Sequence, residues 1–173
     1  MKILIIAMTR TGSSSLTLKL AEEHNLKWVS EPTKNGSDYL PNEEDDNTVV
    51  KIIMWHIPTG VTDEMKWWVE LAGRFDKVVL LTRRDLKSCA ESISYLRYHR
   101  ERIHFNSGMQ YVWEPTPNYT EVQEMVNNYY DKLLELSKIL NVDITYYEDI
   151  FDVNSPHRLR HTHIDKRLDK RLI

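Results

Sequence analysis

Two stretches of this chain, Lys2–Ala7 (KILIIA) and Lys77–Thr82 (KVVLLT), are apolar runs with no polar alternation. A strand with one wet face alternates apolar and polar residues. A run without alternation is buried on both faces, as in the interior of a parallel sheet. Val49–Trp55 returns to strand character, and Leu26–Val29 and Ile144–Tyr146 supply two shorter strands. Helical patterns lie between them. Ser13–His24 places Leu16, Leu18, Leu20 and Ala21 at apolar positions, with Ser13 or Ser14 as its cap. Thr62–Ala72 is capped by Thr62 or Asp63, and a third helix runs from Asp85 to about Arg102. Thr120–Leu140 is long and amphipathic, with Val122, Met125, Val126, Tyr129, Leu133, Leu136 and Leu140 on one stripe. Strands alternating with helices predict an α/β fold of three layers, a parallel sheet with helices on both faces.

In such sheets ligands gather at the carboxyl ends of the strands. Thr9–Ser15, Trp55–Pro58 and Arg83–Ser92 all follow strands and are expected to converge. The first of them, Thr9-Arg10-Thr11-Gly12-Ser13-Ser14-Ser15, joins a buried strand to a helix. Unpaired N–H groups and the helix dipole attract anions at such a junction. Gly12 permits a tight turn and a close approach, the serines add hydroxyls, and Arg10 adds a forked positive charge. The loop is therefore P-loop-like in shape. It departs from the triphosphate version G-x-x-x-x-G-K-[ST], because Ala7 stands at the first glycine and Ser13 at the lysine. The Lys77–Thr82 strand ends in Arg83-Arg84, where a magnesium-dependent kinase would carry an acid. Two arginines there favour a further phosphate.

Beyond Arg84, residues Ser88, Ser92, Tyr95 and His99 share one helical face. An arginine with helix-face hydroxyls suits a dianionic monophosphate. Together these stretches resemble the sulfotransferases that use 3′-phosphoadenosine 5′-phosphosulfate (PAPS). Their first signature, [PT]-[KR]-[ST]-G-[ST]-[ST] after the first strand, is matched by Thr9–Ser14. Their second, an Arg followed by Asp or Asn and Pro with a Ser eight positions after the Arg, is matched by Arg84-Asp85 and Ser92, with Leu86 in place of Pro. Tyr147-Glu148-Asp149-Ile150 is similar to a Tyr-Glu-Asp-Leu segment of the family, and Ser30-Glu31-Pro32 to the Glu-Pro motif of its carbohydrate-type and bacterial members. The resemblance covers roughly residues 1–152.

The resemblance implies a transferase moving a sulfuryl group from PAPS to a hydroxyl or amine of a small-molecule or carbohydrate acceptor, with 3′-phosphoadenosine 5′-phosphate as product and no metal required. It implies that Arg10, Thr11, Gly12, Ser13, Ser14 and Ser15 hold the 5′-phosphosulfate, and that Arg84 and Ser92 hold the 3′-phosphate. Arg10 would also be catalytic, meeting charge on the bridging oxygen as the bond breaks. Two residues compete as the base: Glu31, in its Glu-Pro context, and His56, whose Trp-His-Ile-Pro setting is similar to the Lys-Thr-His-Leu-Pro stretch of the small-molecule members. The choice leans to Glu31, because the Thr-Arg-Thr-Gly loop belongs with the Glu-type pattern. Lys51 is expected to face solvent. The basic Gly-containing closing loop of the family has no counterpart; Arg158 or Arg160 would have to substitute.

Bulk properties narrow the alternatives. The chain has 173 residues and a formal net charge of −3, which suits one domain and argues against a general nucleic-acid binder. Cys89 is the one cysteine, so no internal disulfide forms and a reducing, cytoplasmic setting is expected. No stretch is long enough to span a membrane. One domain is expected over 1–152, with a basic tail over 153–173 packing on or extending it. Trp67 and Trp68 are expected to be packing groups, and Tyr111–Trp113 to line an acceptor pocket. His157, His161 and His163 lack a convincing ligand set for a metal. A P-loop kinase of a small metabolite and a non-catalytic binder of 3′-phosphoadenosine nucleotides are the alternatives. Nothing in the sequence fixes the oligomeric state.

Overall fold

The structure, a computed structural model, describes residues 1–34, 46–98 and 117–150. The order along the chain is β1 (Lys2–Ala7), α1 (Ser13–Glu23), β2 (Lys27–Ser30), β3 (Thr48–Ile53), α2 (Glu64–Ala72), β4 (Lys77–Thr82), α3 (Leu86–Tyr98), α4 (Tyr119–Leu140), β5 (Ile144–Tyr146) and α5 (Tyr147–Ile150). The strands form one sheet in the order β2-β3-β1-β4-β5. Every pairing is parallel, with Ala7 level with Ile53 on one side and Leu81 on the other. The fold is therefore the expected α/β arrangement of a parallel sheet between helices.

Both faces of β1 are covered, as its unbroken apolar run requires. Ile3 through Ala7 are fully buried. Leu4, Ile6 and Met8 face a layer built from Trp68 and Leu71 of α2, Cys89, Ala90 and Ile93 of α3, and Val122, Val126, Leu133 and Leu136 of α4. Ile3, Ile5 and Ala7 face Leu16, Leu20 and Ala21 of α1, together with Tyr147. The handedness of parallel crossovers explains this division. The chain leaves β1 toward β2 over the α1 face, and leaves β3 and β4 in the opposite direction over the other face. Crossovers of one hand must change face when they change direction. The two directions part at the carboxyl end of β1, which is the switch point where sheets of this kind place a ligand crevice.

Helix ends follow their caps. The Asp63 carboxylate accepts from the Lys66 amide at 2.9 Å and starts α2, and Asp85 does the same for Ser88 in α3. Helix α1 differs from expectation: neither Ser13 nor Ser14 caps it. Gly12 occupies the cap position at φ 72°, a left-handed conformation that suits glycine, and no side chain caps the helix. Helix α4 ends on Asn141 at φ 52°, and Ser137 Oγ closes the turn by donating to the Val142 carbonyl at 2.7 Å. Trp68 is fully buried and Trp67 packs on the same cluster, so both are packing groups. β2 is an edge strand, and its Trp28 is 51% exposed. No described helix is long and apolar enough to cross a membrane. His99, Tyr111–Trp113, residues 35–45 with the acidic stretch Glu43-Glu44-Asp45, and the 153–173 tail with Arg158, Arg160 and its three histidines lie outside the described residues.

Leu133 joins α4 to the sheet and is fully buried. Leu133→Ala should lower unfolding free energy by about 2–5 kcal/mol, read from urea denaturation, through lost transfer energy and a residual cavity.

Candidate functional site

The carboxyl ends of β1, β3 and β4 lie side by side, so the three segments after them share one rim, as the alternation of elements predicts. The β1–α1 loop is held from below. Thr11 is fully buried, and its hydroxyl donates to the Met8 carbonyl at 2.6 Å, so it braces the loop from inside. The Cys89 thiol donates to the Thr9 carbonyl at 3.0 Å; burial pushes its pKa up to about 12, and it stays a neutral donor. Ser13 is buried at the first position of α1, whereas Ser14 is exposed and Gly12 and Ser15 are partly so. The first amides of α1 have no acceptor within the helix, and no side chain caps them.

Arg10 stands at φ 65°. Left-handed backbone is uncommon for arginine and carries strain. Contacts with Ser92 and Arg83 help hold it. Arg10 Nε donates to Ser92 Oγ at 2.9 Å, and Arg83 Nη1 reaches the Arg10 carbonyl at 3.4 Å. The described residues include four non-glycine residues at positive φ: Arg10, Asn25, Glu31 and Asn141. The asparagines tolerate this conformation at helix ends. The other two are the arginine and the carboxylate singled out from sequence.

The adjacent arginines at the end of β4 diverge. Arg83 faces the loop, with its guanidinium 4.9 Å from the Tyr147 ring centroid and its Nε 3.7 Å from Glu148 Oε1. Arg84 turns the other way. Its fork grips both oxygens of Asp149, at 2.6 and 2.8 Å, and it lies over the Tyr146 ring at 4.2 Å. That bond holds the Asp149 carboxyl below its usual range. The Arg84 side chain is about half exposed, so the pair is accessible to a competing anion. Ser92, expected to partner Arg84, is instead bonded to Arg10.

A second constellation adjoins the loop. Lys51, expected to face solvent, is only 3% exposed. Strand alternation explains it: Val50 and Ile52 face α2–α4, so Lys51, like Val49 and Ile53, points toward α1. Its ammonium donates to Glu31 Oε1 at 2.7 Å and to Ser14 Oγ at 3.1 Å. A buried ammonium requires such partners. The other oxygen, Glu31 Oε2, lies 3.5 Å from His56 Nδ1. Glu31 and His56, rivals in the sequence reading, are neighbours. The segment after Glu31 also folds onto His56, because buried Thr33 donates its hydroxyl to the His56 carbonyl.

Burial alone would raise the Glu31 pKa. The Lys51 hydrogen bond, with the charges of Lys51, His56 and Lys34, outweighs it and holds the carboxyl below its ordinary 4.5. Burial is the main cause lowering His56 below 6.5; Glu31 opposes it, and Lys34 and Lys51 add to it. The imidazole is thus kept neutral beside an ionised carboxylate. Sequence reasoning missed Lys51 and Arg83. The signal for Lys51 was a lone charge inside the strand VVKII, where both faces are buried. The signal for Arg83 was the Arg-Arg doublet just past a strand end, where two adjacent cations rarely share one partner. No protein-family model matches the chain, and no curated protein does either.

The depressed pKa of His56 fixes the sign of its effect on stability. The unfolded chain takes up the proton at a higher pH than the native one, so stability falls as pH drops from 6.5 through the lower native value. His56→Gln should flatten that part of the curve, measured by urea denaturation across the acid range, and leave the alkaline side unchanged.

Proposed function

We propose that the chain is a PAPS-dependent sulfotransferase acting on a hydroxyl or amine of a small-molecule or carbohydrate acceptor. The observation that carries this reading is the hydrogen bond between Arg10 and Ser92, 82 residues apart. It brings one residue from each anion-binding motif into contact at a single rim. The strand–loop–helix at the switch point beyond β1 supports a P-loop-like variety of the α/β fold.

The donor set fits a nucleotide carrying two separate anionic ends. Uncapped amides at Gly12–Ser15, the serine hydroxyls and the Arg10 fork would hold the 5′-phosphosulfate. Holding the 3′-phosphate would require Arg84 to leave its exposed carboxylate and swing toward Ser92, which is bonded to Arg10. PAPS supplies an activated sulfuryl group when bound. The chain's residues do the rest. Arg10 meets the negative charge that grows on the bridging oxygen, and its strained backbone is already fixed by Ser92 and Arg83. The Glu31–His56 pair receives the proton of the acceptor hydroxyl. The hydroxyl oxygen bonds to sulfur as the sulfur–bridging-oxygen bond breaks, and the bridging oxygen keeps its electron pair on the phosphate.

A thermal-shift comparison tests the reading. 3′-Phosphoadenosine 5′-phosphate at a hundredfold excess over its Kd should stabilise the chain by about 2.7 kcal/mol, or roughly 5–10 °C for a domain of this size. ATP with magnesium should give little; a larger shift with ATP would favour a kinase instead. Arg84→Ala should remove most of the nucleotide shift. Arg10→Ala should cost kcat roughly 10²–10³-fold in sulfuryl transfer while lowering product-nucleotide affinity far less.

A further inference from the structure

Both oxygens of Glu31 have neighbours, and Lys34 Nζ lies 3.9 Å from Oε2. Oε1 accepts from the buried Lys51 ammonium at 2.7 Å, and Oε2 faces His56 Nδ1 at 3.5 Å. His56 Nδ1 is itself enclosed and has no hydrogen bond within ordinary limits. The ring as a whole is 19% exposed, so solvent meets it elsewhere than at Nδ1. The backbone around the ring is equally fixed. The His56 amide donates to the Ile53 carbonyl at 2.7 Å, Thr33 caps the His56 carbonyl, and the Glu31 amide donates to Lys51 O at 2.7 Å. Glu31 keeps its left-handed backbone while spanning these two partners.

We infer that Lys51 and Glu31 are positioning residues for His56: Lys51, anchored on Ser14 of the loop helix, fixes Glu31, and Glu31 fixes the imidazole with its proton on Nδ1 and its lone pair on Nε2. Each member constrains the next. Lys51 removes the freedom of one carboxylate oxygen, which leaves the other aimed at the ring. An ionised carboxylate beside Nδ1 favours the proton there, and Nε2 becomes the group able to accept another. When Nε2 takes the acceptor's proton, the imidazolium is held against a carboxylate already in place. Ser14 ties this assembly to the helix whose amides form the anion site, so the base and the anion site share one rigid support. The groups facing the ring are Glu31, Lys34 and Lys51. The positioning of the ring stands on geometry alone; the statement that Nε2 serves a sulfuryl acceptor rests on the function proposed above.

The test reads the ring directly, in the full chain without nucleotide. Long-range ¹⁵N–¹H spectra, with His56 assigned through His56→Gln, should show the Nδ1–H tautomer dominant at neutral pH. Glu31→Ala, which keeps the same Cβ at this backbone position, should abolish that preference and lower the titration midpoint, since Lys34 and Lys51 then face the ring unopposed. Should that variant fail to fold around an unpaired Lys51, Lys51→Met/Glu31→Ala removes both charges and should lose the tautomer preference as well. A dominant Nδ1–H form that survives loss of the carboxylate overturns the inference, and so does an Nε2–H form in the unaltered chain. The two readings fail separately. Expected spectra with no transfer from PAPS to any acceptor would sink the sulfotransferase and leave the positioning of His56 intact. Transfer with spectra indifferent to Glu31 would do the reverse.

Discussion

β1 has no side that meets water, and the site follows from that. Five consecutive apolar residues are fully buried, which is possible only if helices cover both faces of the sheet at its middle. One chain of fixed crossover hand covers both faces only by reversing its direction across the sheet. The reversal sets the topological switch point at the carboxyl end of the same strand, where such sheets bind ligands. The loop that follows β1 thus lies where backbone amides can reach a ligand. It turns there through two left-handed residues, Arg10 and Gly12, and the arginine is strapped to the neighbouring elements by Ser92 and Arg83.

Much of this was legible from the sequence because burial is written in the period of a strand. The runs Lys2–Ala7 and Lys77–Thr82 matched β1 and β4, and the stripe through Val122, Val126, Leu133 and Leu136 matched the buried face of α4. The α/β class follows from that alternation. What period cannot express is which strand lies beside which. β2 pairs with β3, and the register sets Ser30 level with Lys51. Only that pairing brings Glu31, one residue past the end of β2, to the end of the Lys51 side chain. Lys51 read alone looks like a solvent-facing charge, and Glu31 and His56 read alone look like rivals for one role.

The two arginines after β4 show the same limit at a smaller scale. Arg83 and Arg84 follow the end of β4 and part toward different partners, whereas the motif spacing alone favoured Arg84 as the partner of Ser92. The difference lies in α5. Its Glu148 accepts from the Arg84 amide and sits near Arg83, while Asp149 takes the Arg84 fork. The short acidic helix therefore decides where both guanidinium groups rest. Tyr146 and Tyr147 each place a ring against one of them. The Tyr-Glu-Asp segment, a matching motif in the sequence, has a physical task in the structure: it sorts the arginines.

Charge placement around the loop has its own logic. A triphosphate-type loop would carry its lysine at the position of Ser13, in direct reach of a ligand. Here Lys51 reaches Ser14 from the sheet beneath and is matched by Glu31, so the Lys51–Glu31 pair brings little net charge to the rim. An anion held at this loop would draw on Arg10 and on the first amides of α1, both of which present directional donors rather than a diffuse charge. Burying Lys51 costs several kcal/mol of solvation unless its partners hold still. The same requirement keeps Glu31 ionised and immobile beside His56. The buried lysine and its carboxylate act in opposite senses on the charge of His56, and burial is the larger cause.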